Sequence, residues 1–341
     1  MRTMIRLLFL WVVMLAYSSM ASYDTMPAPP PNMPASTAKP GEDKAKVKRG
    51  VHWYRSPACE TAAKQLEYAF NLYEKESFRK AANAYQALVY AWPDSPEATK
   101  AQLALAQVQE HRLLYDKAFD EYQYLFDYYP GQFDYREVLD RQFKIANYLM
   151  TTPKGAFLFF HGFQAPERAL PLFEKIIRNA PAWERAPTAQ LNIGIIHEMN
   201  DEYEEAVVAY EILQNRYNDE NLLAQASFRE AHCLYQIYTD RPNNEDSCNA
   251  ARASLVQYIR TYPRHEKIEE ARTFLLTLNT QQAIRSFEQA RYYDRIAHRP
   301  KSALIAYEEF LKKYSSLNQE LTTIARERVE SLKKETPHEK K

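Results

Sequence analysis

The side chains that could do chemistry are few in this sequence, and none of them occurs in a catalytic arrangement. His197 and Glu198, in the stretch "HEMND", begin like a zinc-binding helix, but the second histidine that such a helix needs does not follow. The 8 histidines show no metal-ligand spacing, no serine lies in a nucleophile elbow, and 6 glycines are too few for a phosphate-binding loop. We therefore expect a protein that is not an enzyme and has no metal or other cofactor.

The three cysteines, Cys59, Cys233 and Cys248, are too few for a disulfide scaffold. Cys233 and Cys248 flank the stretch "LYQIYTDRPNNEDS". Two interpretations follow: a disulfide joins the two arms of a hairpin, or both residues are small buried thiols.

Charge and composition restrict the partners and the fold class. Lys+Arg and Asp+Glu both number 44 and the pI is about 7.1, so no net field favours nucleic acid, an anionic membrane or an acidic substrate. Hydrophobic residues make up 46% of the chain, with 25 tyrosines and only 6 glycines. Such a composition favours long helices packed through large rings, and we expect an all-α protein that does not bind nucleic acid.

Residues 1–21 are typical of a secretory signal peptide. Arg2 and Arg6 precede an apolar run from Leu7 to Ala16, and Ser19-Met20-Ala21 fits a cleavage site. An uncleaved anchor is the alternative, although the run is shorter than the roughly 20 residues that cross a bilayer. We expect an exported protein.

The segments on either side of the repeats differ from them in composition. Residues 22–55 are rich in Pro and then in Lys without an apolar period, which predicts a flexible linker. Residues 336–341 are predicted to be a disordered tail. The folded domain is expected to span residues 56–335.

This central part of the chain repeats itself. "SFRKAANAYQALVYAWPDSPEA" (77–98) and "LYDKAFDEYQYLFDYYPGQFDY" (114–135) align with a shift of 37 residues. Each has an alanine followed four and seven residues later by large apolar or aromatic residues, which places the three on one helical stripe. The same pattern recurs four more times, and the six alanines are Ala81, Ala118, Ala169, Ala206, Ala251 and Ala303.

A partner helix with a small residue for close contact precedes each copy. These small residues are Ala69, Ala106, Ala146, Gly194, Ala231 and Ala290. A helix–turn–helix unit of about 34 residues is the tetratricopeptide pattern, and it predicts a superhelix of about six helical hairpins. The stretch "EKIEEARTFLLTLN" (266–279) is expected to add a helix beyond the regular period.

Two longer stretches carry a family resemblance. With "FRKAANAYQALVYAWPDSPEATKAQLALAQV" near its start and "ARYYDRIAHRPKSALIAYEEFLKKY" near its end, the array resembles the BamD family of outer-membrane protein assembly factors over residues 60–333. The resemblance implies a non-catalytic periplasmic scaffold at the inner face of the outer membrane. Its partners would be a barrel-inserting outer-membrane protein and unfolded barrel substrates, with peripheral membrane association through the partner.

The chain departs from that family in two places. Family members carry an acylated cysteine just after the signal, whereas residues 19–23 contain none. The family also tends to have a basic residue before the aromatic of its last repeat, where this chain has Ala306 before Tyr307. Arg295, His298 and Arg299 are the candidates for partner docking instead.

The family carries an apolar insertion within its third repeat, and "GAFLFFHGFQ" (155–164) is similar in place and character. Gly155 and Gly162 permit backbone angles that other residues resist. The alternatives are a hydrophobic plug between helices and a contact with a partner or a membrane.

The first helix of each tetratricopeptide repeat lines the concave groove, so its non-core positions are candidates for binding a peptide. The candidate groove residues are Leu66, Phe70, Tyr73, Leu103, Gln107, Glu110, Phe143 and Asn147. The first three suit an extended, aromatic-ended peptide, or else pack against a preceding helix. The rival functions are a periplasmic adaptor for cell-wall synthesis or division and a holdase for unfolded chains.

Overall fold

The computed structural model describes residues 56–153 and 165–335. These residues form thirteen α-helices and one 3-10 helix, without a strand in either range, which confirms the all-α prediction. The signal peptide, the linker up to residue 55, the apolar stretch 155–164 and the tail lie outside the described residues and stay predictions.

The helices follow one another in the order α1 (Ala62–Glu74), α2 (Phe78–Ala91), α3 (Pro96–His111), α4 (Tyr115–Tyr128), α5 (Tyr135–Thr151), the 3-10 helix (Pro166–Ala169), α6 (Leu170–Asn179), α7 (Ala186–Met199), α8 (Tyr203–Arg216), α9 (Glu220–Asp240), α10 (Glu245–Thr261), α11 (Ile268–Arg295), α12 (Pro300–Tyr314) and α13 (Gln319–Glu335). The chain divides within α5 into two compact units, residues 1–140 and 141–341.

Each hairpin core contains the predicted stripe. Ala81, Tyr85 and Leu88 of α2 are at most 3% exposed, as are the corresponding residues of α4, of the 3-10 helix with α6, and of α8, α10 and α12. The stripe meets the small residue of the preceding helix in the last three hairpins, where that residue is Gly194, Ala231 and Ala290. The prediction of an all-α fold of about six helical hairpins is confirmed.

Gly194 shows how close this contact is. A Cβ atom built at Gly194 would overlap Cε1 of the Tyr210 ring, well inside van der Waals contact. Alanine occupies the equivalent position in the other five hairpins. The fourth hairpin therefore brings α7 and α8 together more closely than an alanine would allow.

A buried glutamine repeats the same hydrogen bond in three hairpins. Nε2 of Gln65 donates to the carbonyl oxygen 19 residues later, that of Ala84, at 3.0 Å. In the same way, Nε2 of Gln102 donates to the carbonyl oxygen of Glu121 at 2.8 Å, and Nε2 of Gln190 donates to that of Ala209 at 3.0 Å. This equal spacing makes the hairpins copies of one tetratricopeptide-type unit.

Four hairpin turns contain a residue with a left-handed backbone, and three of these turns share one geometry. Glu76, Leu113 and Asp201 have φ of 54°, 57° and 58°, and each is the middle residue of a three-residue turn. In each turn the next residue donates its N–H to a carbonyl five residues back, as Leu114 does to Gln109 at 2.9 Å. The turns therefore end one helix and start the next within a fixed geometry.

The stretch 266–279 is helical from Ile268, as predicted, but it does not form a helix of its own. It forms the first half of α11, a single helix of 28 residues that continues into the first helix of the sixth hairpin. No glycine or proline occurs between residues 266 and 296 to end it. The helix beyond the six hairpins is α13, which packs on α12.

Candidate protein-binding surfaces

In the first unit, α1 packs beside α3 and exposes part of the predicted groove. Phe70 is 52% exposed, and Leu66, Leu103 and Gln107 are half-buried. These four residues, named here the N-terminal groove, present aliphatic and aromatic surface with one amide. They fit a peptide that offers an apolar side chain and a backbone to hydrogen-bond.

Tyr73 is held by its neighbours rather than pointing freely into the groove. Its hydroxyl is 2.9 Å from Nε2 of His111, and its ring meets the edges of Phe78 and His111. The rings of Phe78 and His111 are parallel, with centroids 5.7 Å apart.

Glu110, another groove candidate, accepts a hydrogen bond from the Tyr122 hydroxyl at 2.7 Å, so its carboxylate joins the two helices of the second hairpin.

Phe143 is a core residue, and its assignment to the groove was wrong. It is 6% exposed, and its ring packs edge-to-face with the rings of Phe173 and Trp183, at centroid distances of 5.8 and 5.6 Å. The guanidinium of Arg185 lies 5.8 Å from the ring centroid. These contacts enclose the ring, so a peptide cannot reach it.

Asn147 is half-buried and bonded to another helix of the second unit. Its Oδ1 accepts a hydrogen bond from Nδ2 of Asn192 at 2.8 Å, which joins α5 to α7. The two amides lie on first helices of consecutive hairpins. A peptide in this part of the groove would meet an amide pair rather than a single asparagine.

The three docking candidates are all exposed at the end of α11 and the turn that follows it. The side chain of Arg295 is 66% exposed, with Nε 3.7 Å from Asp294. His298 and Arg299 are exposed, and His298 has φ of 49°. The structure thus brings the three basic residues into one region.

Arg295 also borders a surface depression on one side of α11, named here the C-terminal face. It is formed by Glu288, Arg291, Tyr292, Arg295 and Ile296. Tyr292 is 52% exposed and Ile296 is 68% exposed. Two guanidinium groups and two large apolar side chains with one carboxylate fit a partner segment that is apolar and acidic.

An ion pair that the sequence analysis missed lies directly behind this face. The Asp294 side chain is only 5% exposed, and it accepts hydrogen bonds from Nε and Nη2 of Arg328 in α13 at 2.8 and 2.7 Å. The Tyr307 hydroxyl lies 3.5 Å from the same carboxylate, and burial, then Asp294, raises the pKa of Tyr307.

The sequence signal for Asp294 was its spacing from the core tyrosine Tyr307, which resembles that of two other acids. An acid precedes the core tyrosine by 12 residues in Glu110–Tyr122 and Glu198–Tyr210, and by 13 in Asp294–Tyr307. Ala306, where the family tends to have a basic residue, packs against the core cluster of α11, α12 and α13. An apolar residue at that position therefore serves packing.

The pair that resembled part of a zinc helix is structural. Glu198 accepts hydrogen bonds from Tyr210 at 2.9 Å, Arg229 at 2.7 Å and the Cys233 thiol at 3.3 Å. Nδ1 of His197 lies 2.8 Å from Glu202. Burial and then Glu198 raise the pKa of both Tyr210 and Cys233. Among the described residues, no group of His, Cys, Asp and Glu is arranged to hold a metal ion.

The cysteines are unpaired. Cys233 and Cys248 are buried in different clusters, the first beside Leu191 and Tyr210 and the second beside Tyr238. The interpretation as buried thiols therefore holds in this structure.

No helix within the described ranges is both long enough and apolar enough to cross a bilayer.

Comparisons with known proteins found similarity to solved structures alone. No protein-family model and no curated protein matches the chain. A thermophilic tetratricopeptide-repeat protein of Thermus thermophilus is 15% identical, covering 63% of this chain and 100% of its own, with a TM-score of 0.31. The C-terminal part of such a protein from Cytophaga hutchinsonii is 16% identical, covering 78% and 88%, with a TM-score of 0.33.

A further match is PilW, described as a type IV pilus biogenesis factor. It is 14% identical, covering 78% of this chain and 99% of its own, with a TM-score of 0.25. What defines the class of this chain is its own hairpin geometry, with repeated glutamine and tyrosine hydrogen bonds at fixed spacing. The fold is an all-α tetratricopeptide-repeat fold.

Proposed function

We propose that this chain is a non-catalytic periplasmic scaffold of the machinery that assembles β-barrel proteins into the outer membrane. It would hold a barrel-inserting partner at the C-terminal face and an unfolded barrel segment in the N-terminal groove. The observation that carries the proposal is the pair of large exposed apolar side chains, Tyr292 and Ile296, beside Arg291 and Arg295.

The physical reason lies in the cost of exposing such side chains. Tyrosine, isoleucine and arginine together are typical of interface centres, where desolvating the apolar groups contributes most of the affinity. The partly buried Asp294–Arg328 pair joins the end of α11 to α13, so the face is preorganised. A partner helix or loop with acidic and apolar residues would complement it.

The N-terminal groove suits a different ligand. Phe70 with Leu66 and Leu103 offers apolar contact, and the Gln107 amide is suited to pair with a peptide backbone. An extended segment that ends in an aromatic residue, as in barrel strands, combines both needs. The two surfaces have different chemistry and lie in different units, so a partner and a peptide could bind at the same time.

The C-terminal face is tested by capture from detergent-solubilised envelopes with tagged full-length protein. We expect Arg291→Glu combined with Ile296→Asp to reduce recovery of an outer-membrane barrel protein by about tenfold or more, a loss of about 1.4 kcal/mol. The matched control is Arg272→Glu, an exposed arginine in the first half of the same helix. Equal recovery with both variants would contradict docking at this face.

The groove is tested separately, with a labelled peptide that copies a C-terminal barrel strand. Phe70→Ser should weaken peptide binding by about tenfold, because an aromatic anchor contributes about 1–2 kcal/mol. Tyr68→Ser is the control, since Tyr68 is another partly exposed aromatic of α1, at 41%. If both variants bind like the wild type, the peptide does not use this groove.

A further inference from the structure

A cluster of aromatic rings lies at one end of the first unit, in the turn between α4 and α5. Phe126, Phe133 and Tyr135 contact one another with ring centroids 4.5 to 5.3 Å apart. Tyr135 is 37% exposed and the two phenylalanines are half-buried, so part of each ring reaches the surface. The backbone N–H of Gly131 donates to the Tyr135 hydroxyl at 2.9 Å and holds that ring in position.

The turn that carries these rings and the turn joined to it are rich in acidic residues. The turn is joined to the one between α2 and α3, because the Tyr129 hydroxyl donates to the Pro93 carbonyl at 3.1 Å and the Thr99 hydroxyl donates to Gln132 at 2.8 Å. Within residues 92–97 and 126–137, Arg136 is the only basic residue. The acidic residues there are Asp94, Glu97, Asp127, Asp134 and Glu137. We name the rings and these acids the acidic–aromatic end.

Aromatic faces and carboxylates together select cations. An ammonium or guanidinium over a ring at an exposed site contributes about 0.5–1 kcal/mol, and nearby carboxylates add Coulomb attraction. The second unit uses the same contact, with Nζ of Lys267 lying 5.8 Å from the Phe228 centroid. A flexible segment rich in lysine and arginine therefore fits the acidic–aromatic end.

A stretch rich in lysine and arginine precedes the first helix of the chain. Residues 39–50 read "KPGEDKAKVKRG", with five basic residues against two acidic ones. The chain enters at the start of α1, where the N–H groups of Ala58 and Cys59 donate to Oε1 of Gln65 at 2.9 and 3.0 Å. Because successive helices are antiparallel, the start of α1 and the end of α4 lie at the same end of the unit.

The distance between these two points is within reach. Extended chain covers about 3.3–3.6 Å per residue, so the stretch from Lys44 to Ser56 can span roughly 40 Å. Helix α1 packs on α3, and α3 on α4. At about 8–10 Å per packed pair, the axes of α1 and α4 are roughly 20 Å apart.

We propose that the basic segment 39–50 docks on the acidic–aromatic end of the first unit of the same molecule. Lysine side chains lie over Phe133 and Tyr135, beside Asp94 and Glu97. Docking shortens the free part of the linker to the residues before Lys39, and so limits how far the repeats can move from whatever holds the N-terminus.

Carbodiimide cross-linking of the full chain, mapped by mass spectrometry, tests the proposal because it couples lysine Nζ only to nearby carboxylates. We expect Lys44, Lys46 and Lys48 to couple to Asp94 and Glu97 about tenfold more than to Asp116 at the opposite end of α4, since a short tether gives millimolar effective concentration. The yield should not depend on protein concentration, and it should fall in about 1 M salt, where the screening length is about 3 Å.

Variants separate docking from simple proximity. Tyr135→Ser should lower the coupling to Asp94 and Glu97 several-fold, while Tyr68→Ser, at an exposed aromatic of α1, should leave it unchanged; helical circular dichroism verifies that both remain folded. Coupling to Asp94 no greater than to Asp116 would overturn the proposal. So would a yield that rises with protein concentration, because it would assign the acidic–aromatic end to a basic segment of another molecule.

Discussion

At the scale of single residues, each hairpin depends on one small side chain facing one ring. The contact is closest at Gly194, where Tyr210 occupies the space that a Cβ atom would need. Tyr210 is fully buried and its hydroxyl donates to Glu198 at 2.9 Å, so the ring is held at both ends. A ring fixed in this way cannot move without losing a buried hydrogen bond.

Replacing Gly194 with alanine should therefore destabilise the protein, although alanine favours helix. The gain in helix propensity of about 1 kcal/mol is outweighed by overpacking and by the weakened hydrogen bond, for a net loss of about 1–2 kcal/mol. Urea unfolding followed by circular dichroism measures the change. Adding Tyr210→Leu should remove most of the penalty, whereas a higher unfolding midpoint for Gly194→Ala alone would contradict this account.

Glu230 supplies a prediction for pH. Burial raises the pKa of this carboxyl above its usual value, although the hydrogen bond from Gln214 opposes the shift. The folded protein thus binds the proton more tightly than the unfolded chain does, so this residue stabilises at low pH and the contribution is lost as pH rises through the folded pKa.

We therefore expect Glu230→Gln to raise the unfolding midpoint at neutral pH and to change it little at a pH below the ordinary carboxyl pKa. Glu211→Gln, at an exposed carboxylate nearby, is the control and should show a smaller difference between the two conditions. A stabilisation that is equal at both pH values would show that charge on Glu230 is not the cause.

Which residues form the core could be predicted from the sequence, whereas the residues open to a ligand could be predicted only in part. Ala81, Tyr85 and Leu88 share a stripe that any stacked helix must bury, so spacing alone identified them. Phe143 occupies the same repeat position as Leu66, yet Trp183 and Phe173 cover it. That cover comes from residues distant in sequence, and no local pattern indicates it.

At the scale of elements, the turns within hairpins use left-handed residues that are not glycine. Leu113 is such a residue, with φ of 57° and 69% of its surface exposed. A side chain in this conformation costs about 1 kcal/mol relative to glycine, and an exposed leucine here contributes little packing in return. The turn conformation is therefore maintained by the helices on either side.

Leu113→Gly should thus stabilise the first unit by about 1 kcal/mol, less some entropy of the unfolded chain. The control is Leu114→Gly, because Leu114 has φ of −95° and gains nothing from glycine. Urea unfolding midpoints compare the two. If Leu113→Gly lowers the midpoint as much as Leu114→Gly does, the backbone conformation is not what limits stability.

Helix α13 is joined to α11 by the partly buried ion pair Asp294–Arg328. Arg328→Met should remove both hydrogen bonds to the Asp294 carboxylate, leave Arg295 at 3.7 Å as its remaining cationic neighbour, and cost about 2 kcal/mol. Arg326→Met, at an exposed arginine of the same helix, should have little effect. Hydrogen exchange measures this locally: faster exchange confined to α11–α13 in Arg328→Met supports the pair's role, and unchanged exchange contradicts it.

This helix also shows a sequence pattern that was overlooked. Its core residues, Ala325, Val329 and Leu332, repeat the spacing of four and seven residues after an alanine, but without an aromatic ring, so α13 could have been predicted from that spacing. The continuity of α11 could also have been predicted, since no glycine or proline interrupts residues 266–296. The assumption of a regular repeat length led to the wrong boundary.

At the scale of the whole molecule, the chain places two unlike surfaces in two separate units. The first unit carries the N-terminal groove around Phe70, and the second carries the C-terminal face around Tyr292 and Ile296. In repeat proteins each hairpin contacts mainly its neighbours, so surfaces several repeats apart can act independently. A scaffold that holds two partners at once needs that independence.

The central claim is that this scaffold serves barrel assembly, and the most direct measurement is the identity of the protein that copurifies with it. Tagged wild-type protein, expressed at its native level and cross-linked in cells, is recovered from detergent-solubilised envelopes and its partners are identified by mass spectrometry. The account predicts recovery of an outer-membrane barrel protein with periplasmic repeat domains, cross-linked through residues 288–299. Recovery of cell-wall synthases or division proteins in its place would contradict it.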